Sequence, residues 1–450
     1  MKIVYGYDIM TFNGPLPNCL NPKFISTIYE GSKYNYRESY HHFNKTWGCD
    51  YSVFNSNDYD QIIERRSVYD IINDRKENKN NKWFYIIEPH SGLDLFFGHH
   101  KVHDQFLLEN IPDVSLNEII NHNGNILINY VVDGGLGINE SNLKMIVDFT
   151  RKNKIKDEKV FFIFSDFKLK ENFKKLNVNY NVIDFNFYLH FKSSEFSKLI
   201  SDQTNTVVTY EDYEKNINKD KKDFLLLTRH WKLHRIFLLS QLHRLGLSNN
   251  LVSWEKSYYD ENMINKLYEY DKNEEFANMV KETSKYIDVS DLINVSGYGF
   301  ENKEMYLNTY ISIVTESIFF QVDPNYPTGF LSEKIWKPIG HCQPFILAGP
   351  SKSLKYIKER YNFKTFDPYI DESYDLEEDD MERLKLIQIE IDKFSKKTKE
   401  EKIKFLNDVK DICFYNQKLF LDLGKKYENP LENNDELKLI SNFLTKSFLF

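Results

Sequence analysis

Apolar residues recur along this chain with two periods, and the alternation between those periods predicts its architecture. Short runs of branched and aromatic residues stand at Trp83 to Ile87, Ile126 to Val132, Val160 to Phe164 and Tyr180 to Phe185. Each has the length and composition of a buried strand. Between the second and third, Ser141 to Thr150 carries a helical period, and strand, helix, strand at this spacing predicts a parallel α/β unit. A second set opens with the apolar strand Asp223 to Leu227 and continues into an amphipathic helix, Ile236 to Leu245, which Gly246 stops. It runs on through Leu251 to Trp254, a tyrosine-rich acidic helical stretch, a strand at Tyr310 to Thr315, a helix opening at Glu333 and a strand at Phe345 to Ala348.

The flanks read differently. The first 80 residues are rich in Tyr, Asn and Asp with few apolar runs, so an irregular extension is expected there, with one helical pattern from Tyr59 to Ile72. It closes in the charged polar run Asn73 to Asn81, suited to an exposed loop. After Phe366 the chain turns acidic, Asp371 to Asp380, and then helical, with Lys396 to Lys402 as a solvated helix face. The polar segment Thr204 to Lys222 marks the join between the two α/β sets. The expected organisation is an N-terminal extension over 1–80, a first Rossmann-like domain over 81–210, a second over 211–380, and C-terminal helices over 381–450.

Composition narrows the classes. A chain of 450 residues has room for two or three domains, and 41% hydrophobic with 16% aromatic content excludes a disordered chain. The net charge of −8 argues against a protein that binds nucleic acid by neutralising many phosphates. Cys19, Cys49, Cys342 and Cys413 are scattered without a CxxC pair, so neither a disulfide framework nor a zinc site is indicated and a reducing compartment fits. Met1 to Asp8 lacks the features of a secretory signal, and no window approaches the roughly 20 apolar residues of a membrane helix. The expectation is a cytoplasmic protein without a membrane span, in which sequons such as Asn44-Lys45-Thr46 are incidental.

Candidate chemistry clusters at strand ends. Arg229, His230, His234 and Arg235 follow the strand at Asp223 directly and open a helix, the place where ligands sit at the carboxyl edge of a parallel sheet. Glu333-Lys334 precedes an apolar run; at a helix start, backbone N–H groups and the dipole favour a phosphate, a lysine neutralises it and a carboxylate accepts from sugar hydroxyls. Asp133, before Gly134-Gly135-Leu136-Gly137, and Glu88, before Pro89-His90, follow earlier strands. Either carboxylate, or His90, is placed to take a proton, and each is equally placed to form a turn or cap. Asp58-Tyr59-Asp60 reads as a helix cap, and His99, His100 and His103 lack the spacing of a metal site. No metal is expected.

Three segments also resemble a known family. In fucosyltransferase-type glycosyltransferases of family ten, a Glu-Asn-Ser segment, a Tyr-Val-Thr-Glu-Lys helix start and a Pro-Ile-x-x-Gly-x-Pro strand and loop follow one another. Here Thr315-Glu316-Ser317, Phe330-Leu331-Ser332-Glu333-Lys334 and Pro344 to Pro350 stand in that order, within a likeness running from Phe224 to Pro350. Glu316 departs from the pattern, because Ser317 follows it directly. The resemblance implies a GT-B fold, two Rossmann-like α/β domains facing a central cleft with a helical C-terminal tail, and an inverting, metal-independent transfer of a sugar from a nucleotide-diphosphate donor, GDP-fucose being favoured, to a glycan hydroxyl. It implies that Arg235 and Lys334 contact the diphosphate and Glu333 the ribose, with Arg229, His234, Thr315, Glu316, Ser317 and Ser332 on the donor side. The base is expected from Asp133 or Glu88. Two alternatives remain open: a non-catalytic carbohydrate- or nucleotide-binding protein on the same scaffold, and a sugar transferase acting on nucleic acid.

Overall fold

The structure, a computed structural model, describes residues 3–7, 63–67, 71–73, 82–87, 108, 111, 113–130, 139–228, 232–255, 261–282, 285–287, 300 and 303–428. The chain is α/β, with two largely parallel sheets and a helical C-terminal region. Its contacts divide it into two units. The first holds the residues up to Phe187 together with Val322–Phe330, and the second holds Tyr188–Gln321 and Leu331–Glu428.

In the first unit, β1 (Ile3–Tyr7), β2 (Ile63–Ser67), β3 (Trp83–Ile87), β4 (Gly124–Tyr130), β5 (Val160–Phe164) and β6 (Asn181–Asp184) form a parallel sheet in the order β2, β1, β3, β4, β5, β6. Helices α1 (Asp113–Asn121), α2 (Glu140–Lys152) and α3 (Leu169–Lys175) belong to the same unit. Every residue of β5 is buried, as expected of a parallel strand covered on both faces. The core on one side stacks Phe162 against Phe173 (4.8 Å between ring centroids) and Tyr180 (5.8 Å). The start of α2 is fixed by Asn139, whose side-chain oxygen accepts from Asn142 N at 2.9 Å.

Two expectations fail at the N-terminal side. Ile3–Tyr7 is not irregular, and the helical pattern of Tyr59 to Ile72 contains a strand, since β1 and β2 pair from Ile3 with Ile63 to Tyr7 with Ser67. The reason lies in position. Among the described residues β2 has one neighbour, and a strand at a sheet edge is not held to the apolar alternation of a buried one, so Ile63-Glu64-Arg65-Arg66-Ser67 gives no strand signal in the sequence. The remainder of the 1–80 extension lies largely outside the described residues.

The second unit contains β7 (Lys222–Leu227), β8 (Leu251–Glu255), β9 (Lys285–Ile287), β10 (Thr309–Thr315) and β11 (Phe345–Ala348), in the order β11, β10, β7, β8, β9, with only β9 antiparallel. The chain builds outward from β7 to β9, then returns to the other side of β7 for β10 and β11. This is the order of a doubly wound sheet, and it reverses between β7 and β10. Helices α4 (Phe187–Ser201), α5 (Tyr210–Asn216), α6 (Leu233–Arg244), α7 (Glu261–Asp271), α8 (Glu274–Glu282), α9 (Glu304–Leu307), α10 (Trp336–Gly340) and α11 (Ser353–Tyr361) accompany it, and α12 (Asp380–Ser395) and α13 (Lys399–Glu428) form the C-terminal helical region. The polar segment Thr204 to Lys222 lies inside this unit and carries α5.

The helix expected to open at Glu333 is shorter. It spans Trp336–Gly340, and Glu333 and Lys334 sit in the turn before it. Pro338 supplies the cause: a helix reaching back to Lys334 would need a Pro338 N–H to bond the Lys334 carbonyl, and proline has none.

Candidate functional site

The sheet order of the second unit places its natural ligand crevice at the carboxyl ends of β7 and β10, where the strand order reverses. Two segments from the sequence reading meet there. Thr315, Glu316 and Ser317 leave β10, while Lys232, His234 and Arg235 open α6 after β7. A third, Ser332-Glu333-Lys334, joins them through side-chain bonds to Glu316 and Ser317.

Glu316 is the centre of this cluster and is fully buried. One carboxylate oxygen accepts from Ser332 N at 3.0 Å and from Ser332 Oγ at 2.5 Å. The other oxygen, and the buried Thr315 Oγ1, have no hydrogen-bond partner among the described residues. Burial pushes the Glu316 carboxyl above its ordinary value, against the pull of Lys334 and the Ser332 bonds. Gly349 lies close beside it: a Cβ there would stand 3.3 Å from Glu316 Cγ, so the carboxylate side chain would have to shift to admit one.

Lys334 Nζ donates to Glu333 Oε1 at 2.7 Å, to Ser332 Oγ at 3.1 Å and to Ser317 Oγ at 3.2 Å. Its side chain keeps 27% of its exposure while Glu333 keeps 8%, so the lysine is the partner that a ligand can reach. Burial alone would raise the Glu333 carboxyl, but Lys334 and Lys337, with the Lys334 hydrogen bond, outweigh it and hold Glu333 down at about 2. Burial thus moves the Glu316 carboxyl up while the neighbouring lysines move the Glu333 carboxyl down.

Arg235 and His234 are placed differently from the expectation. Arg235 is 3% exposed, and its guanidinium donates to the carbonyls of Thr315 (3.1 Å) and Glu316 (3.2 Å). It therefore fixes the turn after β10. His234, 1% exposed, stacks on Phe319 at 5.1 Å and lies with Nε2 3.1 Å from the Glu316 carbonyl. Burial, with Arg235 and Lys232 nearby, lowers its pKa well below the usual value, so the ring is neutral and donates from Nε2 to that carbonyl.

Lys232 was missed in the sequence. It occupies the N-cap of α6, which has no side-chain cap, and its ammonium donates to the Ser317 carbonyl. A cation directly between the switch-point strand and its helix was the available signal. Lys337 was missed as well; its charge acts on Glu333. Another buried ammonium, Lys192, is paired with Glu195 at 2.6 Å.

Asp133, Glu88 and Arg229, with His90 and His230, lie outside the described residues. At a described strand end of the first unit stands Asp166, just past β5. It is buried, and Oδ1 accepts from Lys168 N at 2.8 Å and Gly329 N at 2.9 Å. Burial raises its carboxyl to about 6. Among the described residues no group of His, Cys, Asp and Glu gathers as a metal ion would require, and no helix is long and apolar enough to cross a membrane. No protein-family model matches the chain, and comparison with the curated proteins finds no match either.

Proposed function

We propose that this protein is a glycosyltransferase resembling the fucosyltransferase type of family ten, with a GT-B fold. It takes a nucleotide-diphosphate sugar, GDP-fucose being the favoured donor, in its second unit and transfers the sugar to a hydroxyl of a glycan acceptor, with inversion and without a metal. One observation supports the reading above the rest: three separated segments, ending β10, opening α6 and preceding α10, converge at the switch point of a doubly wound sheet. There Lys232, Arg235, Lys334 and Lys337 face two carboxylates, Glu316 and Glu333. Such a surplus of cations suits a diphosphate.

The chemistry follows from charge. Departure of the sugar leaves a negative diphosphate, and Lys334 stabilises that charge as it develops. Glu333, ionised and fixed by Lys334, accepts from ribose hydroxyls. Glu316 holds Ser332, and Arg235 and His234 hold Glu316, so the lysine-bearing turn is preorganised. The acceptor proton passes to Asp133 or Glu88 in this reading. A cytoplasmic setting accords with the buried free thiols of Cys342 and Cys413.

The reading is tested by calorimetry and thermal shift with GDP, UDP, ADP and CDP, with and without magnesium. GDP is expected to stabilise the fold selectively and without metal. With a transfer assay in hand, Lys334→Ala is expected to slow turnover roughly 10²- to 10³-fold at temperatures where the variant is still folded, alongside a lower melting temperature from the loss of the charge paired with buried Glu333. A fully active Lys334→Ala protein removes the assignment.

A further inference from the structure

We infer that the start of the C-terminal helical region belongs to the machinery of the site: Arg383, together with Asp380, positions the turn 316–321 on which the carboxylate and lysine cluster is built. The inference deepens the nucleotide-sugar reading and rests on it for the ligand. Both residues lie beyond the stretch from Phe224 to Pro350 that carries the family resemblance. Arg383 is the fourth residue of α12 and is 2% exposed. Its Nη2 donates to the Phe319 carbonyl at 2.9 Å and to Asp380 Oδ1, and its Nη1 to the Glu377 carbonyl at 2.9 Å. The guanidinium lies over the Phe319 ring, 4.5 Å from its centroid. The other oxygen of Asp380 accepts from Gln321 N at 2.7 Å. One ion pair of α12 thus holds the main chain of the turn at both Phe319 and Gln321.

The helix is secured by other means. Asp379 caps it, accepting from Met381 N and Glu382 N at 2.9 Å each, and Leu384, Ile387, Ile391 and Phe394 bury its apolar face. A buried ion pair stabilises packing less than an apolar filling of the same volume would. What this pair adds is direction, because the guanidinium is a planar fork with fixed donors, aimed here at the turn. The turn carries that constraint to the cluster. The Phe319 ring also stacks on His234, with centroids 5.1 Å apart, and His234 Nε2 donates to the Glu316 carbonyl. Glu316 accepts from Ser332 N and Oγ, and the Ser317 hydroxyl accepts from Lys334 Nζ. At 2% exposure Arg383 is out of reach of a ligand, so it acts through these residues as a positioning residue.

Hydrogen–deuterium exchange of the full chain, read by mass spectrometry over residues 315–321, 331–335 and 384–394, tests this in wild type, Arg383→Met and Arg383→Lys. The first two stretches hold bonded amides: Glu316 N to the Ala348 carbonyl, Gln321 N to Asp380, and Ser332 N to Glu316. In Arg383→Met both are expected to exchange about 10-fold faster while 384–394 keeps its rate. Arg383→Lys, which restores a cation beside Asp380, should recover part of the protection. GDP affinity, measured by calorimetry, should fall in the same order, by about 10-fold in Arg383→Met. The stretch 331–335 decides, because a residue that only anchors α12 would leave it unmoved. If 331–335 exchanges as in wild type, if all three stretches loosen equally, or if both stretches loosen with GDP affinity unchanged, the inference is overturned. Where Arg383→Met does not fold, Arg383→Lys decides alone: loosening confined to 315–321 and 331–335 supports the inference, and any other pattern overturns it. If wild type binds no nucleoside diphosphate, the nucleotide-sugar reading itself falls, while the exchange rates still judge Arg383.

Discussion

The carboxyl groups of this molecule differ sharply in what burial and neighbours do to them, and that sets its response to pH. Asp166 is raised from 3.8 to about 6 because it is buried with only backbone N–H groups and Lys168 to offset the loss of water. A raised carboxyl means that the folded state keeps its proton between about pH 4 and 6, where the unfolded chain has released it. Stability therefore falls as pH rises through that window, by roughly 3 kcal/mol for this group, and is level above it. Glu372, raised by burial to about 7, acts in the same direction, whereas Glu333, held at about 2, adds stability that is lost only as pH falls below the ordinary carboxyl range. Asp166→Asn keeps an acceptor for Lys168 N and Gly329 N but cannot ionise. Urea unfolding at pH 4 and pH 7 is expected to show a smaller loss between the two in Asp166→Asn than in wild type, and equal losses would show that Asp166 does not carry the slope.

At the level of elements, what was readable in the sequence was what burial forces on composition. β5, Val160-Phe161-Phe162-Ile163-Phe164, and β10, Thr309–Thr315, are buried throughout and announce themselves as apolar runs. β2 does not, because Ile63-Glu64-Arg65-Arg66-Ser67 is recognised as a strand only by its pairing with β1. The turn holding Glu333 and Lys334 was read as a helix because the apolar spacing around it is helical, while the veto lay in a single residue, Pro338. Close approach between elements is equally hidden. Gly424 lies within α13, where propensity alone would favour alanine by about 1 kcal/mol. Yet a Cβ there would fall 2.0 Å from the Ser193 carbonyl oxygen of α4. Gly424→Ala is therefore expected to destabilise by about 2 kcal/mol or more, since backbone cannot yield as a side chain can; a stabilised variant in thermal denaturation would refute the contact.

Across the whole molecule, the second unit's site was the more legible part because the segments that build it carry distinctive residue pairs, and their order along the chain matches their convergence at β7 and β10. What the sequence could not give was that Val322–Phe330 leaves the second unit to join the first. Tyr326 joins the apolar core of the first unit, but a single aromatic in a polar stretch of Asp323, Asn325 and Pro327 carries no strand or helix period, and most of the segment's remaining contacts are hydrogen bonds to residues distant in sequence. Those bonds are several: Asp323 Oδ2 accepts from Glu140 N at 3.0 Å, the Asn325 carbonyl from Lys175 Nζ at 2.6 Å, the Pro327 carbonyl from Asn172 Nδ2 at 2.9 Å, and Gly329 bonds both Asp166 Oδ1 (2.9 Å) and Phe167 N (3.0 Å). The first unit is therefore not a contiguous stretch, and a chain ending at Phe187 lacks a piece of its own structure. Residues 1–187 expressed alone are expected to unfold at lower urea than the same fragment carrying 322–330 on a flexible linker, because Asn172, Lys175 and the Asp166 carboxyl each lose a partner at about 1 kcal/mol apiece. Equal midpoints for the two fragments would mean that this segment contributes nothing to the first unit's stability.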